Sequence, residues 1–95
     1  MIASLVLAGA LLVGSLGATA GIASWGDGWS GVVTRLPRGT AIIVCGPLAC
    51  WSGRSVGYGP AKRTGRIADL SRAVFAHICG APSRGLCRVI LIRGR

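Results

Sequence analysis

The sequence predicts a small, mostly β domain with one short helix. Two strand-like runs, "TAIIVC" and "CWSGRSV", flank a Gly-Pro turn signal, and a third run, "CRVILIR", lies near the end of the chain. Apolar and β-branched runs bounded by glycine and proline are typical of strands. Apolar side chains recur at the spacing of one helix face at Leu70, Val74, Phe75 and Ile78. That spacing predicts a helix at about residues 71–78.

The remaining elements follow in chain order. "GIASW", at residues 21–25, is a candidate first strand, and the glycine-rich "GDGWSG" after it predicts a turn. "VVTRLPRGT" leads into the strongest strand run, residues 40–45, and the next strand is predicted at residues 50–56. "GYGPAKRTG" carries three glycines and a proline, so we expect a loop there. The length allows one domain at most.

The first 20 residues are predicted to form a signal peptide. Residues 2–20 hold no charged side chain, "IASLVLAGALLV" suits a signal h-region, and Ala18-Thr19-Ala20 is an A-x-A cleavage site. The mature domain would then comprise residues 21–95, secreted or associated with the cell wall. The alternative is a membrane anchor, because residues 2–23 are about long enough to span a bilayer. The positive-inside rule would then place the arginine-rich body in the cytoplasm.

Four cysteines in a short exported chain predict a disulfide framework. The count permits three pairings. Cys45 and Cys50 flank the turn "GPLA", and Cys79 and Cys87 flank the loop "GAPSRGL", so local pairing closes two small loops. We therefore predict the bridges Cys45–Cys50 and Cys79–Cys87. No metal or cofactor is expected, because neither spacing is C-x2-C and His77 is the only histidine.

The net charge is +9, with ten arginines and one lysine against two aspartates. So basic a small domain predicts an anionic partner, such as nucleic acid, a lipid surface, or the phosphate and carboxylate groups of a bacterial wall. The cations cluster only in "AKRTGR", which contains Lys62, Arg63 and Arg66. No nucleic-acid-reading motif accompanies them. For an exported chain, which we expect to be monomeric, we predict anionic wall polymers rather than a specific nucleic acid.

Four segments, in order along the chain, resemble the RlpA-like double-psi β-barrel family. "GIASW" is similar to the family's opening G-x-A-S-W-Y-G, and "LPRGT" is similar to its L-P-x-G-T. "GRIADLS" matches the family's G-R-(I/V)-x-D-L-S, and "GLCRVILI" resembles its final strand. The resemblance implies a six-stranded double-psi β-barrel, which also occurs in barwin and in the first domain of expansins, and a peptidoglycan ligand. One fold can host several functions.

The resemblance also indicates a candidate acid/base, Asp69, which matches the aspartate of the D-L-S segment. In expansins this match implies a role in wall loosening, and in RlpA-like lytic transglycosylases acids near the groove act on the glycosidic oxygen. The family's other acid, in V-x-D-x-G-P, is replaced by Gly57. Because glycoside hydrolysis normally needs two carboxylates, the resemblance favours glycan binding or wall remodelling without catalysis.

Two alternative functions stay open. One is a minimal lytic transglycosylase that uses Asp69 alone as acid/base. The other is a cationic secreted defence or membrane-active protein, similar to barwin-type proteins. Asp69 could also be purely structural, because an aspartate at the start of a helix can cap its N–H groups.

Aromatic side chains are the candidates for direct glycan contact. They are Trp29, which lies in a glycine-rich turn and is expected to be exposed, Trp51 and Tyr58. Aromatic faces flanked by cations can hold sugar rings by stacking. In a small domain, however, a tryptophan is also a core filler.

Overall fold

The computed structural model describes residues 17–94, so most of the predicted signal peptide lies outside the described residues. The described chain is mostly β with one helix, as the sequence predicts. The helix, α1, is Arg72–Ile78, and two 3₁₀ turns cover Lys62–Thr64 and Pro82–Arg84. The strands are β1 (Ala18–Gly26), β2 (Val32–Thr34), β3 (Ala41–Cys45), β4 (Cys50–Arg54), β5 (Arg66–Ser71) and β6 (Leu86–Arg93).

The six strands form one sheet in the order β2-β5-β1-β6-β3-β4, which curls into a nearly closed barrel. β1 and β5 run parallel, and the other neighbours run antiparallel. The two edges of the sheet meet where Val32 forms a parallel bridge with Ser55. Beside this bridge the buried hydroxyls of Thr34 and Ser55 lie 2.7 Å apart. Each hydroxyl thereby gains the hydrogen-bond partner that a buried polar group needs.

The core fills the barrel interior and the underside of α1. In β6 the alternation of side chains turns Val89 and Leu91 inward and leaves Arg88 and Ile90 exposed. α1 packs against β1, β4 and β5 and buries its apolar stripe, with Phe75 fully enclosed. The other fully or nearly fully buried apolar side chains include Ala23, Val32, Ile42, Val44, Ala68, Leu70 and Ile78.

Both predicted disulfides are formed. Cys45 and Cys50 are directly paired residues of the β3–β4 hairpin, whereas Cys79–Cys87 ties the end of α1 to β6 within the core. Disulfides persist in oxidising compartments, so the two bridges indicate an extracellular or other oxidising environment. Within residues 17–94, no helix has the length and apolarity needed to cross a membrane.

The first strand begins earlier than the sequence indicates. Residues 18–20 belong to β1, where they pair with residues 90–92 of β6. The predicted cleavage site after Ala20 therefore lies inside β1, and cleavage there would remove these three residue pairs. Processing at that position stays a prediction.

Candidate functional site

Asp69 lies inside β5 and does not cap the helix. The N-cap residue of α1 is Ser71, and its hydroxyl accepts a hydrogen bond from the Gly31 N–H at 3.1 Å instead of capping the helix. The interpretation of Asp69 as a helix cap is therefore wrong. Its neighbours Ala68 and Leu70 are fully buried, so strand alternation turns the Asp69 side chain to the outer face of the barrel.

The carboxylate of Asp69 links β5 to β1. Ser24, its partner in the parallel strand pair, donates a hydrogen bond of 2.5 Å to Oδ1. Arg66 Nε lies 3.5 Å from the same oxygen, which is an ion-pair distance. The Asp69 side chain is 22% exposed, so it is accessible at the surface while Oδ1 holds two protein contacts.

Gly57, where the resemblance to the RlpA-like family would place a second acid, occupies a position that disfavours any side chain. Its φ is +80°, in the left-handed region, and a Cβ there would lie 3.1 to 3.2 Å from atoms of Arg38. A carboxylate at this position would require both backbone strain and movement of Arg38. The absence of an acid here therefore agrees with the local geometry.

The other aspartate, Asp27, is bound by Arg72 just beyond the end of β1. Arg72 Nε and Nη2 donate to its two oxygens at 3.1 and 2.7 Å, and this hydrogen bonding lowers the pKa of the Asp27 carboxyl. The Arg72 guanidinium also stacks 4.6 Å from the Trp25 ring centroid. Trp25 Nε1 donates to the Pro82 carbonyl at 2.6 Å. Asp27, Arg72 and Trp25 therefore form one surface cluster beside α1.

The three predicted aromatic contacts do not form one face. Trp29 is half-buried rather than exposed, because its ring lies over Gly26, where a Cβ would come within 2.5 Å of it. Trp51 is also half-buried and faces the core side of β4, with its ring over Gly53. Tyr58 is 87% exposed. It lies in the β4–β5 loop, at the opposite end of the barrel from the turn that carries Trp29.

Most of the positive charge gathers at one end of the barrel. β2 and β4 end there and β3 and β5 begin there, so the loops of residues 35–40 and 55–65 meet. Arg35 Nη1 joins the two loops by donating to the carbonyls of Pro60 and Arg66, each at 2.8 Å. Seven of the ten cations in residues 17–94 lie here, and we call them the cationic end: Arg35, Arg38, Arg54, Lys62, Arg63, Arg66 and Arg93.

The predicted polymer-binding residues Lys62, Arg63 and Arg66 all belong to the cationic end. Sequence reasoning missed the other four because they are scattered along the chain. The signal for them is the alternation of strand direction along the chain, which brings alternate loops to the same end of the barrel. Arg35 and Arg38 follow β2, and Arg54 closes β4, which places them beside the predicted cluster.

The described residues thus offer a cationic end with an exposed tyrosine, and a partly exposed carboxylate, Asp69, that pairs with Arg66 of that end. Within residues 17–94, no three His, Cys, Asp or Glu side chains are grouped so that they could hold a metal ion. Comparison of the chain with models of protein families, with curated proteins and with solved structures found no match in any of the three.

Proposed function

We propose that the protein binds an anionic polymer of the cell wall through the cationic end. The observation that carries this proposal is the gathering of seven cations around two adjoining loops. Six of them are arginines, whose planar guanidinium groups match phosphate and carboxylate oxygens. The nearest carboxylate along the chain, Asp69, is already paired with Arg66. The field of this end therefore attracts polyanions.

The choice of a wall polymer rests on the compartment. The two disulfides indicate oxidising surroundings, and the predicted signal peptide supports export. Phosphate and carboxylate groups of a bacterial wall are the polyanions available there. The resemblance to RlpA-like and expansin domains supports the same location, and it suggests that Tyr58, which is exposed among the cations, contacts the wall glycan.

The position of the charges leads to a test with matched variants. The pair Lys62→Gln/Arg63→Gln removes two exposed charges from the cationic end, and Arg84→Gln/Arg88→Gln removes two exposed charges elsewhere. We expect the first pair to weaken binding to sacculi that carry anionic polymers by at least about tenfold at low salt. The slope of log K against log salt should fall by about 1.5, since each lost phosphate contact contributes about 0.7 to 0.9. Co-sedimentation measures both quantities.

The control pair should change binding by less than about threefold, because it leaves the cationic end intact, and stripping the anionic polymers from the sacculi should abolish the salt dependence. Equal losses in the two double variants would show that only net charge matters. Binding that survives both high salt and stripping would refute the polymer as the ligand.

A lytic transglycosylase with a single acid/base is the second candidate, and the partly exposed carboxylate of Asp69 favours it. In this reaction a hydroxyl of the sugar replaces water as the nucleophile, so one carboxyl group can suffice. The proposal gives Asp69 both roles, acid toward the leaving oxygen and base toward that hydroxyl. The absence of a second acid at Gly57 is then compatible with catalysis.

Variants of Asp69 separate catalysis from structure. Asp69→Asn keeps an oxygen that can accept from Ser24, so we expect its free energy of unfolding to fall by less than about 1 kcal/mol, whereas Asp69→Ala should lose about 1–2 kcal/mol. For an enzyme, Asp69→Asn would also abolish release of anhydro-sugars from sacculi. Ser24→Ala is the control, because it removes the same hydrogen bond and leaves the carboxylate. Full release by folded Asp69→Asn would exclude the transglycosylase.

A further inference from the structure

An open apolar trough lies on the outer face of the barrel, and no residue of the cationic end lines it. It has a volume of about 630 Å³ and runs beside β1, β6 and the β3–β4 turn. Its lining comes from residues 20–22, 45–47 and 88–90, and Arg88 is the charged residue among them. A second recess of about 400 Å³ continues from the shared residues Ile22, Pro47 and Arg88 toward Arg84 and Leu86. None of the residues predicted to bind glycan lines either recess.

β6 points two apolar side chains outward along these recesses: Ile90, which is 46% exposed, lines the trough, and Leu86, which is 57% exposed, lines the second recess. Single exposed apolar residues are ordinary, but a contiguous apolar patch on a small domain marks a binding surface. Ligand sites are typically concave and mostly apolar, with volumes of about 300–1,000 Å³ and a few polar groups that fix orientation. The trough has each of these properties.

Two arginines, Arg88 in the trough and Arg84 in the adjoining recess, are available to a ligand. Both carboxylates in residues 17–94 are held by other arginines, Arg66 and Arg72. Arg84 and Arg88 therefore have no acidic side chain to pair with in the described part of the chain, and both are exposed. An apolar channel with two free cations along it is complementary to an apolar chain with an anionic head.

We propose that the trough binds a single-chain anionic amphiphile, a long-chain carboxylate. The hydrocarbon chain of this ligand lies against Ile22 and Ile90, and its carboxylate pairs with Arg88. Arg84 lies in the second recess. Because the surface is concave, it suits a ligand whose hydrocarbon chain lies in the trough. A membrane contact would instead need protein side chains that protrude into the bilayer. This site is independent of the polymer-binding proposal, because none of the residues of the cationic end lines the trough.

The experiment measures displacement of the fluorescent probe 11-(dansylamino)undecanoate from the full-length protein, monitored by the fluorescence of its dansyl group. Dodecanoate should displace the probe at a concentration at least about tenfold lower than hexanoate, because each buried methylene strengthens binding about three- to fourfold. Arg88→Gln should weaken dodecanoate binding about five- to tenfold. Arg63→Gln, which removes the same charge at the cationic end, should leave it unchanged. Ile90→Asn should weaken it as well, and its melting curve shows whether the fold is retained.

Three results would overturn the proposal. Equal displacement by hexanoate and dodecanoate would show that the trough does not hold the chain. Equal losses in Arg88→Gln and Arg63→Gln would attribute binding to net charge. Binding to vesicles of anionic phospholipid, with no displacement by dodecanoate below its micellar range, would assign the apolar face to a membrane surface instead. Failure of the sacculus assay would leave this result unaffected, because the two assays test different residues.

Discussion

Gly59→Ala is expected to destabilise the fold severely. A Cβ at Gly59 would overlap the backbone of Thr34 and Arg35, where the β4–β5 loop crosses the end of β2. Backbone atoms cannot turn aside as a side chain can, so the loop and β2 would have to separate. Forced overlap in a packed interior typically costs about 1–3 kcal/mol, and more when the neighbour cannot move. We expect a loss above about 3 kcal/mol, which is a large share of the stability of a small domain.

The separation would also disrupt the closure of the barrel. The Thr34–Ser55 hydroxyl pair and the Arg35 bond to the Pro60 carbonyl both lie beside Gly59. A variant that stayed partly folded should therefore lose polymer binding, because the loops that carry the cationic end would no longer meet.

Gly65→Ala is the matched control in the same loop. Gly65 has φ +72° and open space around its Cβ position, so alanine there meets only backbone strain, worth about 1–2 kcal/mol. Thermal melts followed by circular dichroism give the melting temperatures of the two variants and the wild type for comparison. A Gly59→Ala protein that melts near the wild-type temperature would refute the close approach, and with it the path of the loop over β2.

The elements that the sequence predicts correctly are those with local signals. The strand prediction at residues 40–45 corresponds to β3 (Ala41–Cys45), and the helix prediction at residues 71–78 corresponds to α1. Both disulfides were predicted as well, since each closes a short loop. In each case the turn residues and the apolar spacing that indicate the element lie within a few residues of one another. These elements can therefore be predicted without knowledge of a distant partner.

The elements that depend on distant pairing were missed. The sequence indicates no strand at β5, because the buried residues Ala68, Leu70 and Ser71 do not show a clean alternation. Its partners in the sheet are β1, which runs parallel to it, and β2, which runs antiparallel, and both lie far away in the sequence. A single sequence carries no signal for such a pairing. The misplacement of Asp69 at a helix start followed directly from this missed strand.

The cationic end was predictable only where its residues are neighbours in the sequence. Lys62, Arg63 and Arg66 are neighbours in the sequence and in the structure, whereas Arg38 and Arg93 reach the cationic end only through the sheet order. The aromatic prediction places an exposed Trp29 in a glycine-rich turn. The ring instead covers Gly26, a position with no side chain to displace it.

Removal of the Cys79–Cys87 bridge is expected to destabilise the domain more than removal of Cys45–Cys50. Cys79 is 1% exposed and Cys87 is 9% exposed, and together they tie the end of α1 to the start of β6. Loop entropy alone assigns the two bridges similar contributions, about 2–2.5 kcal/mol for such short loops. The Cys79–Cys87 pair also fills part of the core, so its replacement leaves a cavity whose cost adds to the entropy. We expect a total loss of about 3–5 kcal/mol for Cys79→Ala/Cys87→Ala.

Cys45→Ala/Cys50→Ala is the control with the same chemistry. Its bridge joins two residues that the β3–β4 hairpin already pairs, and Cys50 is exposed, so we expect a loss of about 2 kcal/mol or less. Urea unfolding of the three proteins gives the comparison. If the two double variants lost the same free energy, the buried bridge would contribute only entropy. If the expected order holds, a reduced chain is marginally stable, because so small a domain buries a thin core. The fold itself would then require the oxidising compartment that the proposed wall-binding function assumes.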